Sequence, residues 1–309
     1  MVSCLITGGT GFIGSRVARR LTAAGEKVVA YDINPQDLKG LAAELVQGDV
    51  LDLPHLLRTA RQHQVHRIVH LAYILGRATE FNPHQATRIN VEGTNNVFEV
   101  ASSLGIKRVV WASSIAVFGP KSAGPDGVVA NDAPYHPATI YGACKVVNEL
   151  TAQRYARSFG LEPIGLRFPA VYGPGSPRGW AGFIDQIARD LAAGRMARVP
   201  RGDQPQNWVY VEDIAQAIVL ALGVPRPRHL AFTLAGEVAT TTQVIDIMWH
   251  ICPDAPVERM ESFPEARLMA HLDDSPARQE LGWGLGHSLE AGLRATINYH
   301  RQEKGLPPL

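Results

Sequence analysis

The stretch Thr7-Gly8-Gly9-Thr10-Gly11-Phe12-Ile13-Gly14 decides the fold class, because it joins a short apolar run to a segment with helical periodicity. It fits GxGxxG when read from Gly9 and GxxGxxG when read from Gly8. Glycines in such a loop let the backbone approach a pyrophosphate, and the helix that follows points its first N–H groups at the anion. The residues predicted to touch this ligand are Gly8, Gly11, Phe12, Ile13 and Gly14. Alone, the motif is weak evidence, since a tight glycine turn has the same composition.

An acidic residue follows the loop at a spacing that favours a dinucleotide. Asp32 ends the second apolar run, roughly 20 residues beyond Gly14, where a carboxylate binds ribose hydroxyls. This carboxylate would repel a 2′-phosphate, and no arginine follows it in 33–35, so the sequence predicts NAD rather than NADP. Asp49 and Val50, after the third apolar run, are predicted to meet the adenine. An ordinary turn aspartate is the alternative for Asp49.

Short apolar runs alternate with helix-period segments as far as Arg167, a pattern typical of a parallel sheet covered by helices on both faces. The predicted strands are 2–7, 27–31, 44–47, 67–72, 107–112 and 162–167. The predicted helices between them are 12–24, 36–43, 53–63, 83–104 and 137–159. The sequence therefore predicts an α/β fold with a doubly wound parallel sheet, of the Rossmann type.

Beyond Arg167 the chain becomes rich in proline and glycine at 169–177, which indicates a crossing between lobes. Helices are then predicted at 181–193 and 211–222, and strands at 208–210 and 230–234. We expect an NAD-binding Rossmann domain at 1–168, with 211–235 returning to its sheet. The segments 169–210 and 236–309 are expected to form a smaller C-terminal α/β lobe that binds substrate.

Composition limits the partners of the chain. Its 309 residues include 30 Lys+Arg and 29 Asp+Glu, for a net charge of +1. This balance gives no electrostatic basis for binding nucleic acid or an acidic membrane, so a small-molecule partner is predicted. The histidines at 63, 66 and 70 lack the spacing of metal ligands, and no metal site is predicted.

Cysteine usage and hydropathy indicate the compartment. Cys4, Cys144 and Cys252 are odd in number and widely spaced, which fits neither a disulfide framework nor a CxxC metal site and favours a reducing compartment. Residues 1–7 are too short for the apolar part of a signal peptide, and no apolar run approaches the ~18 residues of a membrane span. The sequence therefore predicts a cytoplasmic protein.

A tyrosine and a lysine stand four residues apart in Tyr141-Gly142-Ala143-Cys144-Lys145, hence on one face of a helix. Free tyrosine titrates near ~10 and is a poor base at neutral pH, but a nearby ammonium group and a positive nicotinamide ring both favour the phenolate. Such a tyrosine can take the proton of an alcohol while a hydride leaves for the cofactor. A lone YxxxK match is common by chance.

With the glycine loop and the segment Trp111–Gly119 beside this pair, the chain resembles the extended short-chain dehydrogenase/reductase superfamily, in particular the NAD-dependent epimerase/dehydratase family. Matching motifs span almost the whole chain: TGGTGFIGS at 7–15, HLA at 70–72, NVEGT at 90–94, YGACK at 141–145, VYGPG at 171–175, YVED at 210–213 and LGW at 281–283. The resemblance implies that Ser114 is the catalytic hydroxyl and Tyr141 the acid/base. It also implies that Lys145 lowers the pKa of Tyr141 and holds the nicotinamide ribose.

The resemblance implies further contacts. Besides Tyr141 and Lys145, cofactor-binding positions fall on Leu71, Ala72, Tyr73, Asn90 and Pro169. Tyr73 stands where the family has alanine, and a helix-cap role is the alternative for Asn90. In similar proteins two long helices pair as a four-helix bundle, so a homodimer is expected through the helices 83–104 and 137–159.

Departures from the family pattern bear on the substrate. Ile115 and Ala116 stand where family dehydratases carry acidic residues, so dehydration is disfavoured. Ala170 replaces the asparagine that nucleotide-sugar enzymes usually have, and the stretch 206–208 lacks their arginine. A buried diphosphate without such partners would be costly. The candidate substrate residues are Arg77, Ser113, Ser114, Tyr172 and Arg178, with surface positions the alternative for the arginines and core packing for Tyr172.

Three functions stay open on these grounds. The leading prediction is an NAD-dependent oxidoreductase acting on a secondary alcohol of a small sugar-like or hydroxy-acid-like substrate. The alternative is a nucleotide-sugar epimerase that oxidises its substrate transiently and reduces it again. A minor alternative is a non-catalytic dinucleotide-sensing protein, because a fold alone does not guarantee activity.

Overall fold

A computed structural model describes residues 2–38, 40–75, 77–176, 182–260 and 270–309, with Arg77 represented by its backbone. Its centre is a seven-stranded parallel sheet in the order β10-β6-β5-β4-β1-β2-β3. The strands are β1 Ser3–Thr7, β2 Lys27–Asp32, β3 Ala43–Gln47, β4 Arg67–His70, β5 Arg108–Ser114, β6 Glu162–Phe168 and β10 Ala231–Thr233. This order confirms the predicted doubly wound sheet.

Helices cover both faces of the sheet. They are α1 Gly14–Ala23, α2 Leu53–Gln62, α3 Arg77–Phe81, α4 Pro83–Thr87, α5 Gly93–Leu104, α6 Ile140–Phe159, α7 Gly182–Ala192, α8 Val211–Gly223, α9 Thr241–Ile251, α10 Ser275–Leu281 and α11 Leu289–Glu303. Successive residues of β1 enter opposite cores: Cys4 and Ile6 pack on the side of α1 and α8, and Leu5 on the side of α2 and α5. Among the helices of the described residues, none has the length and apolar character needed to cross a bilayer.

The strand order reverses beside β1, which lies between β2 and β4. Ligands of open α/β sheets bind at the carboxyl ends of the strands at such a reversal. Thr7, Asp32 and His70 end the three strands concerned, and Ser114 ends β5 next to β4. The fold therefore gathers residues from distant motifs at one edge of the sheet.

Some predicted elements differ from the structure. The helix predicted at 36–43 is wrong: the described residues of this segment form a turn and loop before β3, because Gly40 adopts a left-handed φ of 71° that a helix cannot continue through. The helix predicted at 83–104 is interrupted by a π-helical turn at Arg88–Glu92. Thr139 caps α6, so this helix begins at Ile140 rather than at 137.

The C-terminal part contains two smaller sheets. One has the order β11-β9-β7, with β7 Ala170–Tyr172, β9 Pro205–Tyr210 and β11 Glu237–Thr240. The other pairs β8 Ala197–Val199 with β12 Val257–Arg259. Part of the stretch expected to be loop after Arg167 is thus the strand β7. The chain returns to the central sheet at β10, which pairs with β6; the division into two lobes stays a prediction.

Candidate active site

The glycine loop is shaped by close backbone contacts. Gly8 has a left-handed φ of 67°, and a Cβ at this residue would lie 2.9 Å from the carbonyl carbon of Leu71. A Cβ at Gly14, the first residue of α1, would overlap the carbonyl oxygen of Gly8. Within the described residues, no side chain caps the start of α1. The loop therefore brings bare backbone and a helix N-terminus to the sheet edge.

A cleft of about 470 Å³ opens over this loop. The predicted cofactor residues that line it are Gly8, Gly11, Phe12, Ile13, Gly14, Asp32, Asp49, Val50, Leu71, Ala72 and Tyr73. Sequence reasoning missed other lining residues, namely Tyr31, Ile33, Gly48, Ile74, Leu75, Ile89 and Gly175. Most of these residues are next to a predicted residue in the sequence, so adjacency to a predicted residue was the signal that could have identified them.

Two carboxylates on the cleft wall are already oriented. Asp32 accepts hydrogen bonds from the backbone N–H of Thr10 (3.2 Å) and from its hydroxyl (3.0 Å). The carboxylate of Asp49 accepts from the backbone N–H of Leu51 (2.9 Å), so the aspartate forms a turn and also lines the cleft. Thr10, which lies inside the glycine motif, is a positioning residue that the sequence analysis did not single out.

Four predicted cofactor residues lie outside the lining of this cleft: Tyr141 and Lys145, described below, and Asn90 and Pro169. Asn90 is fully buried in the π-helical turn; its side-chain oxygen accepts from Ile74 N–H (2.9 Å), and its amide donates to Ile74 C=O (3.0 Å). It caps no helix, and it supports the loop that lines the cleft instead of facing it. Pro169 is buried between β6 and β7, beyond the end of β6. Cofactor contact by either residue stays a prediction.

The three predicted catalytic residues meet where β5 ends and α6 begins. Ser114 is the last residue of β5, Tyr141 the second of α6, and Lys145 follows one turn later. Ser114 hydrogen-bonds with Tyr141 and accepts from the backbone N–H of Ala116 (3.1 Å). The Nζ atom of Lys145 donates to the carbonyl of Ala112 (2.7 Å) and lies 5.4 Å from the ring centre of Tyr141.

Burial controls the protonation of this group. It raises the pKa of Tyr141 well above 10, with Tyr73 adding to the shift and the hydrogen bond from Ser114 opposing it. It lowers the pKa of Lys145 to about 7, against smaller upward effects of Cys144 and Glu149. Without cofactor, burial therefore favours the protonated phenol of Tyr141. The predicted lowering of its pKa requires the nicotinamide ring as well as Lys145 and stays a prediction. Lys145 is itself only partly protonated at neutral pH.

Two of the candidate substrate residues, Ser113 and Tyr172, make structural contacts instead. Ser113 points away from Ser114, as neighbours on a strand do, and donates to the buried carboxylate of Glu149 (2.6 Å). The prediction of a substrate contact is therefore wrong for Ser113. It is also wrong for Tyr172, which is 1% exposed, packs against Trp208 and donates to the carbonyl of Leu289 (3.1 Å).

The two arginines predicted near the substrate stay untested. Arg77 is the first residue of α3, and Arg178 lies outside the described residues. Among the residues that the structure describes, no group of three or more His, Cys, Asp or Glu side chains could hold a metal ion.

The positions that hold diphosphate anchors in nucleotide-sugar enzymes are structural here. Ala170 is buried in β7, opposite Trp208 of β9. Gln206, at the position of the expected arginine, is 1% exposed in β9. Next to it, the side-chain oxygen of Asn207 accepts from the backbone N–H of Gly236 (2.7 Å), and its amide donates to the carbonyl of Ala270 (3.1 Å). Ala170 and Gln206 are therefore buried in the three-stranded sheet, and neither presents a cation to a phosphate.

The cleft fits a dinucleotide. A Cβ at Gly8 or Gly14 would close the cradle at the start of α1, where an anion is favoured. Asp32 stands at the end of β2 for ribose hydroxyls, and its carboxylate disfavours an additional phosphate. Tyr141 and Lys145 lie at the end of β5, on the other side of β1 and β4 from Asp32.

Comparison with known proteins agrees with this arrangement. A family model described as the NAD dependent epimerase/dehydratase family matches residues 4–231. UDP-glucose 4-epimerase of Mycolicibacterium smegmatis is 31% identical over 97% of this chain and 98% of its own. D-erythronate dehydrogenase of Cupriavidus necator is 27% identical over 99% of each chain. The X-ray structure of L-threonine dehydrogenase from Clostridium difficile superposes with a TM-score of 0.87, at 26% identity and 99% coverage of each chain.

Relatives of both kinds, epimerases and dehydrogenases, thus extend over nearly the whole chain. The predicted cofactor and enzyme class are confirmed by these matches. The match over residues 4–231 includes the glycine loop, the strand that ends at Ser114, and the helix of Tyr141 and Lys145. This chain belongs to the NAD-dependent epimerase/dehydratase family and is an NAD-dependent enzyme of the extended short-chain dehydrogenase/reductase type.

Proposed function

We propose that the protein is a dehydrogenase that oxidises a secondary alcohol of a small sugar-like or hydroxy-acid-like substrate with NAD, or catalyses the reverse reduction. The observation that carries this proposal is the combination of an assembled Ser114, Tyr141 and Lys145 group with Ala170 and Gln206, both buried and uncharged, at the positions of the diphosphate anchors. The similarity to D-erythronate dehydrogenase supports a small hydroxy acid as the substrate class.

Each residue of the site has a separate role in the proposed reaction. NAD, when bound, supplies the hydride acceptor for the alcohol carbon. Ser114 is placed to donate a hydrogen bond to the substrate oxygen and to share the charge that develops on it. Tyr141 exchanges the hydroxyl proton at its phenol oxygen. Lys145, held by the carbonyl of Ala112, provides positive charge beside the phenol and is proposed to hold the nicotinamide ribose.

A nucleotide-sugar epimerase is the second candidate, because the 31% identical relative is a UDP-glucose 4-epimerase. The two functions differ in their net reaction. A dehydrogenase accumulates NADH with its substrate, whereas an epimerase returns the hydride to the other face of the same intermediate.

The test is to incubate the purified protein with NAD and a panel of aldonic acids, other hydroxy acids and UDP-sugars. We expect sustained NADH absorbance with a sugar acid or hydroxy acid and none with UDP-sugars. Interconversion of UDP-glucose and UDP-galactose without net NADH would replace the proposal by the epimerase.

We also propose a homodimer formed through the helices 83–104 and 137–159. Its support is the apolar surface of α6, where Val147 and Leu150 are 44% and 52% exposed. The double variant Val147→Glu, Leu150→Glu should be monomeric in light scattering coupled to gel filtration, because charges would be buried in the interface. Met196→Glu, at a 54% exposed apolar residue in the C-terminal part, is the matched control and should stay dimeric. A monomeric wild type would contradict this proposal.

A cytoplasmic location is proposed from the cysteines. Cys4, Cys144 and Cys252 are all buried and free. Thiols in this state are typical of proteins from a reducing compartment. A fluorescent fusion imaged in the native cell, with cell fractionation beside it, would test the location.

A further inference from the structure

Tyr73 introduces an aromatic ring where the family resemblance leads one to expect alanine. It lies on the cleft wall, three residues beyond the end of β4, and is half-buried. The Nζ atom of Lys145 is 4.5 Å from the centre of the Tyr73 ring, closer than to the ring of Tyr141 at 5.4 Å. The two tyrosine rings lie 6.2 Å apart at an angle of 46°. Lys145 therefore lies against two aromatic rings.

The other groups that face Lys145 offer little compensation for a buried cation. His70 is neutral, because burial and then the charge of Lys145 lower its pKa to about 3. Burial raises the pKa of the Cys144 thiol, which keeps it protonated. Glu149, one helical turn further on, is paired with Arg167 through contacts of 2.7 and 2.8 Å. Among the described residues, Lys145 forms no salt bridge of its own.

The ring of Tyr73 is held in place by its backbone. The next residue, Ile74, is fixed by the two hydrogen bonds of the buried Asn90 side chain. The carbonyl of Asn90 accepts in turn from Asn148 on α6 (2.8 Å), the helix that carries Lys145. Burial raises the pKa of Tyr73 to about 12, so the ring is neutral at physiological pH. A neutral tyrosine ring attracts a cation at this distance by its quadrupole.

We propose that Tyr73 is a positioning residue for Lys145, and that its ring stabilises the ammonium form of Lys145 and holds it in place through a cation–π contact. Alanine, which the family is expected to carry at this position, has no π-face and could not do this. The contact belongs to the protein itself, so it is measurable without cofactor or substrate.

The test uses the protonation of Lys145 as its readout. The chain has only six lysines, so ¹³Cε labelling of lysine gives a simple spectrum in which Lys145→Met identifies the signal. The signal of Lys145 is titrated with pH in the wild type, in Tyr73→Leu and in Tyr73→Phe. Leucine keeps an apolar side chain without a π-face, and phenylalanine keeps the ring without the hydroxyl. Thermal melts verify that each variant is folded.

We expect Tyr73→Leu to lower the titration midpoint of Lys145 by about 0.5–1.5 pH units, the equivalent of a cation–π contact. Tyr73→Phe should keep the midpoint within about 0.3 units of the wild type. An unchanged midpoint in Tyr73→Leu would overturn the proposal and leave Tyr73 as a wall of the cleft. An equal drop in both variants would also overturn it, since the hydroxyl would then be responsible. If Tyr73→Leu does not fold, Tyr73→Met serves the same comparison.

Discussion

Burial moves the pKa of Tyr141 upward and that of Lys145 downward, so at neutral pH in the protein alone the phenol keeps its proton and the ammonium group is only partly protonated. A phenol that keeps its proton can donate it in a reduction, and it needs added positive charge nearby before it can accept one. The protonation of Lys145 near neutral pH is therefore an adjustable part of the site.

Tyr141→Phe should lower kcat by roughly a hundred- to ten-thousand-fold, because proton transfer by a positioned side chain contributes about that much. NAD affinity should change little, since the ring remains. Stopped-flow kinetics with the substrate found in the panel, and calorimetry with NAD, measure the two effects. Tyr155→Phe, which removes a surface hydroxyl bonded to Glu99, is the control and should keep full activity. A large loss of NAD affinity in Tyr141→Phe would contradict the assignment.

Lys145→Met should stabilise the cofactor-free protein at neutral pH. The pKa of Lys145 is 10.5 in the unfolded chain and about 7 in the folded chain. Between these pH values the unfolded chain binds more protons, so the free energy of unfolding of the wild type rises with pH. The variant has no ammonium group to bury. Its free energy of unfolding should therefore exceed that of the wild type by on the order of a few kcal/mol at pH 6–7, and this difference should shrink towards pH 10. Urea unfolding of both proteins across this range measures it. A difference independent of pH would contradict the lowered pKa.

At the scale of the element, the turn from β1 into α1 depends on backbone packing. Gly14→Ala places a methyl group against the carbonyl of Gly8, so we expect a loss of about 1–3 kcal/mol and weakened NAD binding. Gly223→Ala, at the last residue of α8 with open space around it, is the matched control and should be neutral. Thermal melts and NAD titration of both variants provide the comparison. Equal behaviour of the two would show that the loop can relax.

Elements with a strong local hydrophobic pattern could be predicted from the sequence. Features that depend on backbone conformation or on contacts between residues distant in sequence could not. Most strands of the central sheet are nearly continuous apolar runs, and the predicted bounds of the strands agree with the structure to within two residues at each end. The segment 36–43 has a helical composition, but Gly40 turns the chain before β3. Ser113 and Ser114 are alike as residue types, and only their opposite orientations on β5 separate the structural hydroxyl of Ser113 from the proposed catalytic hydroxyl of Ser114. The assignment of Tyr172 failed because its partner Leu289 is remote in sequence.

At the scale of the whole molecule, a buried ion pair joins elements far apart in the chain. Arg167 of β6 binds Glu149 of α6 with two hydrogen bonds and donates to the carbonyl of Asn131 (2.5 Å). Asn131 in turn accepts from the backbone N–H of Thr233 on β10 (2.8 Å). This network could not be predicted from the sequence, because no periodicity in the sequence distinguishes a buried charged residue from an exposed one.

Arg167→Met should destabilise the protein by about 3–5 kcal/mol, because it leaves the buried carboxylate of Glu149 without a countercharge among the described residues, with hydrogen bonds only from Ser113 and Tyr135. The double variant with Glu149→Met should recover part of the loss. Arg198→Met, which breaks an exposed pair with Glu258, should change stability by no more than about 1 kcal/mol. Denaturant unfolding of the three variants measures these differences. A double variant that is less stable than Arg167→Met would show that the carboxylate needs no partner.

The position of β10 has a consequence for the folding of the protein during its synthesis. A ribosome releases the chain from its N-terminus, so β6 emerges with one side unpaired and waits until residues 231–233 have been synthesised. During that interval an exposed parallel edge is open to pairing with other nascent chains. Slow translation between β6 and β10 would therefore favour misassembly, and a chain shortened before Ala231 would keep that edge permanently open.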